Sequence, residues 1–456
     1  MKNKRVSRFV FPYVLGLVSS VLSVSVEAAE MVSVVTHGPL LGEVTSSSVR
    51  IWARTNGPGT IEFHFGKDSA LLNGISESIE TTAAHDFTGW TTLYGLDPDT
   101  EYVASVFIDG NPTGVPATFR TLPDSNALRD QKHNPRGLFN FSFTFGSCAN
   151  QNPLHGIGPS LPTYATLLEK HADEVDFQIM NGDWLYEELR TTPVDAWADK
   201  QGVDVEQLPD VVRDMPTIVG VWENYKLYLD RGTNLSAWHR NVPGFFTFDD
   251  HELVNDIWGA GSTGRRNRRA VFRDIGTRAW LDYLGWANPA AFPHSVHHGQ
   301  AELATGSDIL VDTNADFTSL PLDEMLNLHV HWGTPEAGVN DLRYDDDALG
   351  DPNSRVYEIR EVLDKHRVRI FPVPVVDGKV EYSIGRRSYG SFRVANCEFF
   401  LLDTRGARQM HDTSRPHQPN LTMLGMDQQK WLMESMDKSV ADFFFVVSSV
   451  PFMIPH

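Results

Sequence analysis

Cysteine is scarce in this sequence of 456 residues, which contains only Cys148 and Cys397. So few cysteines exclude a small fold built on a disulfide framework. A single disulfide between the two is one alternative. Cys148 follows an apolar strand among polar residues, and this setting favours a metal ligand over a disulfide. Cys397 precedes another apolar strand and is predicted to be a core residue.

An excess of positive charge is also lacking, since 39 Lys and Arg residues face 59 Asp and Glu residues, for a net charge of -20. This balance argues against a nucleic-acid-binding surface. An acidic protein that handles anionic substrates needs metal ions or a local arginine cluster to offset its own charge. A solvated acidic surface by itself selects no function.

Long hydrophobic runs are lacking except near the N-terminus, where an apolar run covers residues 9–24. Basic residues precede it and the small residues Ala28 and Ala29 follow, which is the order of a secretory signal peptide over residues 1–29. The run is short and contains Pro12, so a stable membrane span is not expected. The sequence thus predicts export to the periplasm or the cell exterior, with an uncleaved anchor as the alternative.

The chain is long enough for two domains. Residues 30–123 show the period-two alternation of short strands, as at Val49, Ile51 and Ala53. The spacing of Leu96 and Tyr102 resembles the fibronectin type III pattern, in which a tyrosine hydroxyl ties a corner of the sandwich. We predict an all-β, fibronectin- or Ig-like sandwich that serves as a structural cap. A polar, turn-rich linker follows at 124–137.

From residue 138 to 456, apolar strands alternate with helical stretches, which predicts an α/β (α+β) domain of layered sheets with buried strands. The strand candidates are 139–145, 176–180, 244–248, 398–403 and 442–449, and the helix candidates are 162–172, 265–285 and 425–438. The region from about 300 to 380 lacks this alternation and is interpreted as an insertion.

Four of the strands end in residues able to bind a metal or a phosphate: Cys148, then Asp183 with Tyr186, then the run Asp249, Asp250, His251 and Glu252 with Asn255 behind it, and last Arg405 with Arg408. Ligands bind beyond the carboxyl ends of strands in open α/β sheets, so these groups are predicted to meet. A carboxylate such as Asp183 can bridge two cations, and the acidic run adds oxygen ligands beside an imidazole. A phenolate ligand favours a trivalent ion such as iron(III) over magnesium, and a thiolate ligand favours the same ion or zinc over calcium. Arginines clamp phosphate through their forked donors.

Five ordered motifs resemble those of PhoD-like alkaline phosphatases: GSC at 146–148, GDWLY at 182–186, DDHE at 249–252, LDTRGAR at 402–408 and LGMDQQKWL at 424–432. Purple acid phosphatases, the alternative family, share the GD-x-x-Y motif and an N-terminal β module. Their second motif is Gly-Asn-His followed by an acid, which this chain lacks. The resemblance therefore favours a metallophosphatase-type fold of the PhoD-like kind.

The resemblance implies an iron(III) and calcium(II) centre with Cys148, Asp183 and Tyr186 as iron ligands. It further implies Asp250 and Asn255 as ligands of the second metal, and His251 and Arg405 as catalytic residues that face the phosphate. The expected activity is hydrolysis of small phosphomonoesters or phosphodiesters by metal-activated water. These residues are spread over more than two hundred positions of the chain, so only the fold can bring them together.

The sequence departs from the family pattern at one motif, because no Gly-Asp-x-His follows the strand candidate at 442–449. We therefore expect the catalytic domain to be incomplete at its C-terminus. The alternatives to an active hydrolase are an inactive, truncated relic and a non-catalytic binding protein that uses the β module.

Overall fold

A computed structural model of the chain describes residues 34–151, 160–186, 217–252, 270–289, 297–321, 325–331, 356–408 and 422–450, with six single positions between them (158, 195, 198, 199, 204 and 206). The predicted signal peptide and Asn255 lie outside these residues. The described elements all belong to one compact unit that begins at Ser33. No helix among the described residues has the length and hydropathy to cross a membrane.

Two antiparallel sheets form the N-terminal module. Its strands are β1 (Val35–Val44), β2 (Ser48–Thr55), β3 (Gly59–Gly66), β4 (Gly74–Ile75), β5 (Ile79–Thr81), β6 (Thr88–Tyr94), β7 (Glu101–Ile108) and β8 (Asn111–Arg120). One sheet has the order β1-β2-β6 and the other β4-β3-β7-β8, with β5 paired to β3. Inward residues of both sheets, such as Ile51 and Phe63, are fully buried in a common core. The predicted corner is confirmed, because the Tyr102 hydroxyl accepts a hydrogen bond from the Asp97 amide at 2.8 Å.

Three parallel strands begin the α/β part, namely β9 (Phe143–Gly146), β10 (Phe177–Asn181) and β11 (Gly244–Thr247), in the order β11-β10-β9. The helices are α1 (Pro162–His171), α2 (Thr217–Arg231), α3 (Thr233–Asn241), α4 (Ala270–Tyr283) and α5 (Gly425–Lys438). In α2 the residues Trp222, Tyr225 and Leu229 are buried at intervals of three and four, so one stripe of the helix faces the core.

A second three-stranded sheet contains β18 (Gly390–Val394), β19 (Cys397–Leu401) and β20 (Phe443–Val447), with β20 parallel to β19. Phenylalanines from both sheets pack between them, as Phe177 contacts Phe399 edge-to-face at 5.6 Å between ring centroids. The prediction of buried strands is wrong for β20, where Phe443 is 59% exposed. The reason is that β20 pairs only with β19 among the described residues and forms an edge of its sheet.

The region interpreted as an insertion is a closed, six-stranded antiparallel barrel. Its strands are β12 (His297–Leu303), β13 (Ile309–Val311), β14 (Met325–His331), β15 (Val356–Asp364), β16 (Arg367–Phe371) and β17 (Gly378–Arg386), in the order β12-β13-β16-β15-β14-β17. The interior is filled by apolar side chains that include Leu310, Val368 and Ile384. The region has a core of its own, which explains why the α/β alternation stops there.

A group of buried charged residues joins the N-terminal module to helices α2 and α4. Asp86 accepts hydrogen bonds from Arg54 at 3.0 and 3.1 Å and from the Tyr283 hydroxyl, and it lies 3.2 Å from the ammonium of Lys226. We call these four residues the interface cluster. Every charge in it has a partner of opposite sign, so the cluster fixes the module against the helices.

Candidate metal centre

The four predicted strand ends lie together in the fold, at the meeting of two sheets. Strands β9, β10 and β11 run parallel, so their carboxyl ends share one edge. The ends of β10 and β20 are joined by a hydrogen bond from Asn181 to the Ser448 carbonyl at 2.9 Å. Beside it, the hydroxyls of Thr404 and Ser449 lie 2.7 Å apart. The turn that follows β19 is thereby fixed at the same edge.

The loop after β10 depends on a backbone that only glycine adopts easily. Gly182 has φ of 76°, and Asp183 continues in the left-handed region with φ of 55°. A Cβ at Gly182 would lie 2.4 Å from the Cβ of Asp249. The Ala149 amide donates to the Asp183 carbonyl at 2.9 Å. The loops that carry Cys148, Asp183 and Asp249 are therefore in direct contact.

Five of the predicted site residues converge on one point. Asp183, Asp250 and His251 each offer a ligand atom, and these atoms all lie within 4.8 Å of one another. The Asp183 carboxylate accepts hydrogen bonds from the Cys148 thiol and the Tyr186 hydroxyl, both at 3.3 Å. The Tyr186 ring lies 4.0 Å from the His251 ring. Of the remaining candidates, Arg405 lies beside these residues and Asn255 is outside the described residues.

Glu252 has a role that sequence reasoning missed. Its fully buried carboxylate accepts three backbone hydrogen bonds, from Asp183 at 3.1 Å, Trp184 at 2.7 Å and Asp249 at 2.8 Å. The Glu252 oxygens are occupied by these amides, so this acid of the run holds the neighbouring loops together. Burial and the carboxylates of Asp183 and Asp249 raise the pKa of Glu252, while the amide donors oppose this rise.

The turn after β19 carries the two arginines. Asp403 accepts hydrogen bonds from the amides of Arg405 and Gly406 at 3.0 and 2.7 Å, which closes the turn. Gln428 of α5 bonds both the amide and the carbonyl of Asp403. The guanidinium of Arg405 lies 2.5 Å from Asp249 and 3.3 Å from Asp250. The motifs at 402–408 and 424–432 therefore act together to place an arginine against the acidic run.

The electrostatics of the site disfavour its negative charge when no cation is bound. Burial, together with the neighbouring Asp250, raises the pKa of Asp183. Burial raises the pKa of Asp249 to about 6 even though Arg405 contacts it. The pKa values of the Cys148 thiol and the Tyr186 phenol are raised by burial as well. A bound cation would reverse each of these shifts, since it stabilises the ionised form of its ligands.

The donor set fits a metal ion. Asp183 Oδ1 is buried and has no hydrogen-bond partner among the residues that the structure describes. An unsatisfied buried carboxylate oxygen is costly unless a cation contacts it. Thiol, phenol, imidazole and carboxylate groups around one point suit a transition-metal ion such as iron. Asp250 can add the oxygen ligand that a calcium ion prefers.

Comparisons with known proteins bear on this site directly. Residues 143–301 match the profile of the family described as PhoD-like phosphatase. A solved structure titled "Structure of PhoD" superimposes with a TM-score of 0.51 at 16% identity, covering 89% of this chain and 60% of that chain. The chain thus spans about 60% of the length of that protein. No curated protein sequence matches significantly.

Two further solved structures match over about a fifth of the chain. The sensor domain of the anti-sigma factor RsgI4 from Pseudobacteroides cellulosolvens has a TM-score of 0.17 at 18% identity, over 20% of this chain and 94% of that one. A fibronectin type III domain of human collagen XX has a TM-score of 0.15 at 22% identity, over 19% of this chain and 88% of that one.

The profile match includes Cys148, Asp183, Tyr186, Asp250 and His251, and the match to PhoD extends the likeness to the fold of most of the chain. The layered α/β architecture with an all-β N-terminal module, predicted from the sequence, is therefore confirmed. The resemblance of this chain to the PhoD-like phosphatases, first indicated by its motifs, is confirmed by the family profile and by the fold.

Proposed function

We propose that this chain is an exported, metal-dependent hydrolase of small phosphate esters. The observation that carries the proposal is the convergence of Asp183, Asp250 and His251 within 4.8 Å, with Cys148 and Tyr186 on the Asp183 carboxylate. The family profile over 143–301 supports the same chemistry. Export rests on the signal-peptide pattern of residues 1–29.

We assign the metal ligands as the sequence predicts them. Cys148, Asp183 and Tyr186 would hold iron(III), and Asp250, with Asn255, would hold calcium(II). Such cations polarise a phosphoryl oxygen and activate a water molecule for in-line attack. Residues of the chain would bind the phosphoryl group and hold the acidic loop in place. His251, a member of the same cluster, would face the phosphoryl group. The Asp249–Arg405 pair keeps the acidic loop beside Asp183.

We propose the same domain division as the sequence indicates: a signal peptide at 1–29, a β-sandwich at 30–123, a linker at 124–137 and a metallophosphatase domain from 138 that contains the inserted barrel. The sandwich acts as a scaffold. Its buried contacts reach helices α2 and α4 through the interface cluster, and α2 in turn donates from Asn224 to the Tyr186 carbonyl at 3.2 Å. The scaffold therefore supports the loop that carries Tyr186.

The test combines metal analysis with hydrolysis of a phosphomonoester and a phosphodiester of p-nitrophenol. We expect the chain to contain iron and to hydrolyse at least one ester. Cys148→Ala and Tyr186→Phe should each lower both iron content and kcat/KM by at least tenfold. Cys397→Ala, which changes the other free cysteine in the core, is the matched control and should keep both.

Full hydrolysis by a chain stripped of metal would overturn the proposal. Iron binding without hydrolysis of any ester would favour the alternative of an inactive relic, whose metal site survives without turnover.

A further inference from the structure

The turn formed by residues 403–408 holds two arginines that have different surroundings. Both are buried, with Arg405 and Arg408 each 7% exposed. They lie three positions apart at the same strand end, so both approach the acidic loop after β11. Sequence reasoning gave the phosphate-binding role to Arg405.

Arg405 is already engaged by protein carboxylates. Its Nε and Nη2 atoms each lie 2.5 Å from Asp249 Oδ1, and Nη2 lies 3.3 Å from Asp250 Oδ1. A guanidinium bound to two carboxylates has little positive charge left for a third anion. Arg405 therefore neutralises the acidic loop and keeps it in place.

Arg408 differs because it forms no hydrogen bond or ion pair with any residue in the described part of the chain. It interacts with Asp249 and Asp250 only at longer range, and it is repelled by Arg405. Burial and that repulsion lower the pKa of Arg408 to about 10. A guanidinium with so little exposure stays protonated, and an anion that pairs with it offsets the cost of its burial.

We propose that Arg408 is the arginine that binds the phosphoryl group of the substrate, whereas Arg405 is a positioning residue that holds Asp249 and Asp250. Arg408 lies at the same strand end as Arg405, near enough for the charges of Asp249 and Asp250 to act on it. A guanidinium can donate its forked N–H groups to two oxygens of one phosphoryl group. The same donors would bind the inorganic phosphate product. This assignment rests on the proposed function, since it names the residue that recognises the ester.

The test measures the binding of inorganic phosphate to the full chain as purified, by titration calorimetry, beside hydrolysis of the same esters. Arg408→Met should weaken phosphate binding and raise KM by at least tenfold. Its thermal unfolding midpoint should stay the same or rise, because the variant removes a buried charge that pairs with no carboxylate among the described residues. Arg393→Met, at an exposed arginine of β18, is the matched control and should leave phosphate affinity within twofold.

Arg408→Lys keeps the charge and loses the fork, so we expect an intermediate loss of affinity. If Arg408→Met fails to fold, the phosphate affinity of Arg408→Lys tests the inference in its place. Phosphate affinity within twofold of wild type in the Arg408 variants, or a wild-type chain that binds no phosphate, would overturn the inference. A wild-type chain that binds phosphate through Arg408 but hydrolyses no ester would overturn the proposed function instead and leave the inference standing.

Discussion

Two groups of buried charges in this molecule have opposite electrostatic balance. In the interface cluster, one carboxylate, Asp86, faces the cations of Arg54 and Lys226. At the strand ends lie four carboxylates, those of Asp183, Asp249, Asp250 and Glu252. The cation of Arg405 contacts two of them, Asp249 and Asp250. We call these four acids and Arg405 the strand-end cluster. Both groups lie in the interior, so the difference is one of charge and not of burial.

The pKa directions follow the same division. Burial opposes the ionisation of Asp86, but Arg54 and Lys226 outweigh burial and lower its pKa. Burial raises the pKa values of Asp183 and Asp249, and Arg405 does not cancel the rise. A balanced buried network stabilises the folded chain by itself. An unbalanced network becomes favourable when a cation binds, which is the behaviour expected of a metal centre.

The largest expected effect comes from breaking the balanced group. Asp86→Ala would leave Arg54 buried without its carboxylate and Lys226 with Glu223 alone, at a cost of about 3–5 kcal/mol in the free energy of unfolding. Chemical denaturation measures this loss. Asp97→Ala, which removes an exposed partner of Lys67, is the control and should cost under about 1 kcal/mol. Equal losses in the two variants would contradict the comparison.

Removing one acid from the strand-end cluster should not lower the free energy of unfolding when metal is absent, in contrast to Asp86→Ala. Asp183→Asn relieves carboxylate repulsion, so the metal-free variant should be as stable as wild type or more stable. Iron at a hundredfold excess over its Kd should stabilise wild type by about 2.7 kcal/mol and the variant far less. Unfolding midpoints with and without the cation measure both effects. A metal-free variant much less stable than wild type would show that Asp183 is structural.

Glu252 should behave as a structural acid within the functional group. Glu252→Gln replaces one acceptor oxygen by an NH₂ group that faces backbone amides, and the unsatisfied donor should cost about 2 kcal/mol. The loss should appear in the metal-free chain, unlike that of Asp183→Asn. Glu434→Gln on the exposed face of α5 is the control. A variant as stable as wild type would mean that the three amide bonds contribute little.

The smallest effect is a pH dependence confined to the interface cluster. The folded pKa of Asp86 is lowered, so its stabilisation is complete above the unfolded value of about 3.9 and is lost as the pH falls through the folded pKa. The difference in unfolding free energy between wild type and Asp86→Asn should be constant from about pH 7 to 5 and shrink below about pH 4. A difference that already shrinks at pH 6 would contradict the lowered pKa.

The sequence predicted those parts of the site that follow from local pattern. Cys148, Asp183, Tyr186 and His251 each come directly after an apolar strand or within a short motif, and parallel strands bring such ends to one edge. The interface cluster could not be predicted, because Asp86 meets Lys226 and Tyr283 from 140 and 197 positions away. Such a pairing is decided by how the module packs on the helices.

The role of Glu252 could not be predicted from the sequence for a different reason. A run of four polar residues at a strand end shows that some of them face the site, but it does not show which one turns inward. Glu252 turns toward the amides of the Asp183 loop, a direction set by the left-handed backbone at Gly182 and Asp183. The closure of the barrel could not be predicted either, since no local sequence pattern indicates that β12 pairs with β17.

That last pairing has a consequence for deletion or replacement of the barrel. The first and last strands of the barrel run side by side in antiparallel register from His297 opposite Ile384 to Leu303 opposite Gly378. The polypeptide thus departs for the barrel and returns from it at adjacent points. Because the two ends of this stretch of about ninety positions are adjacent, a short linker could join them if the barrel were deleted or replaced.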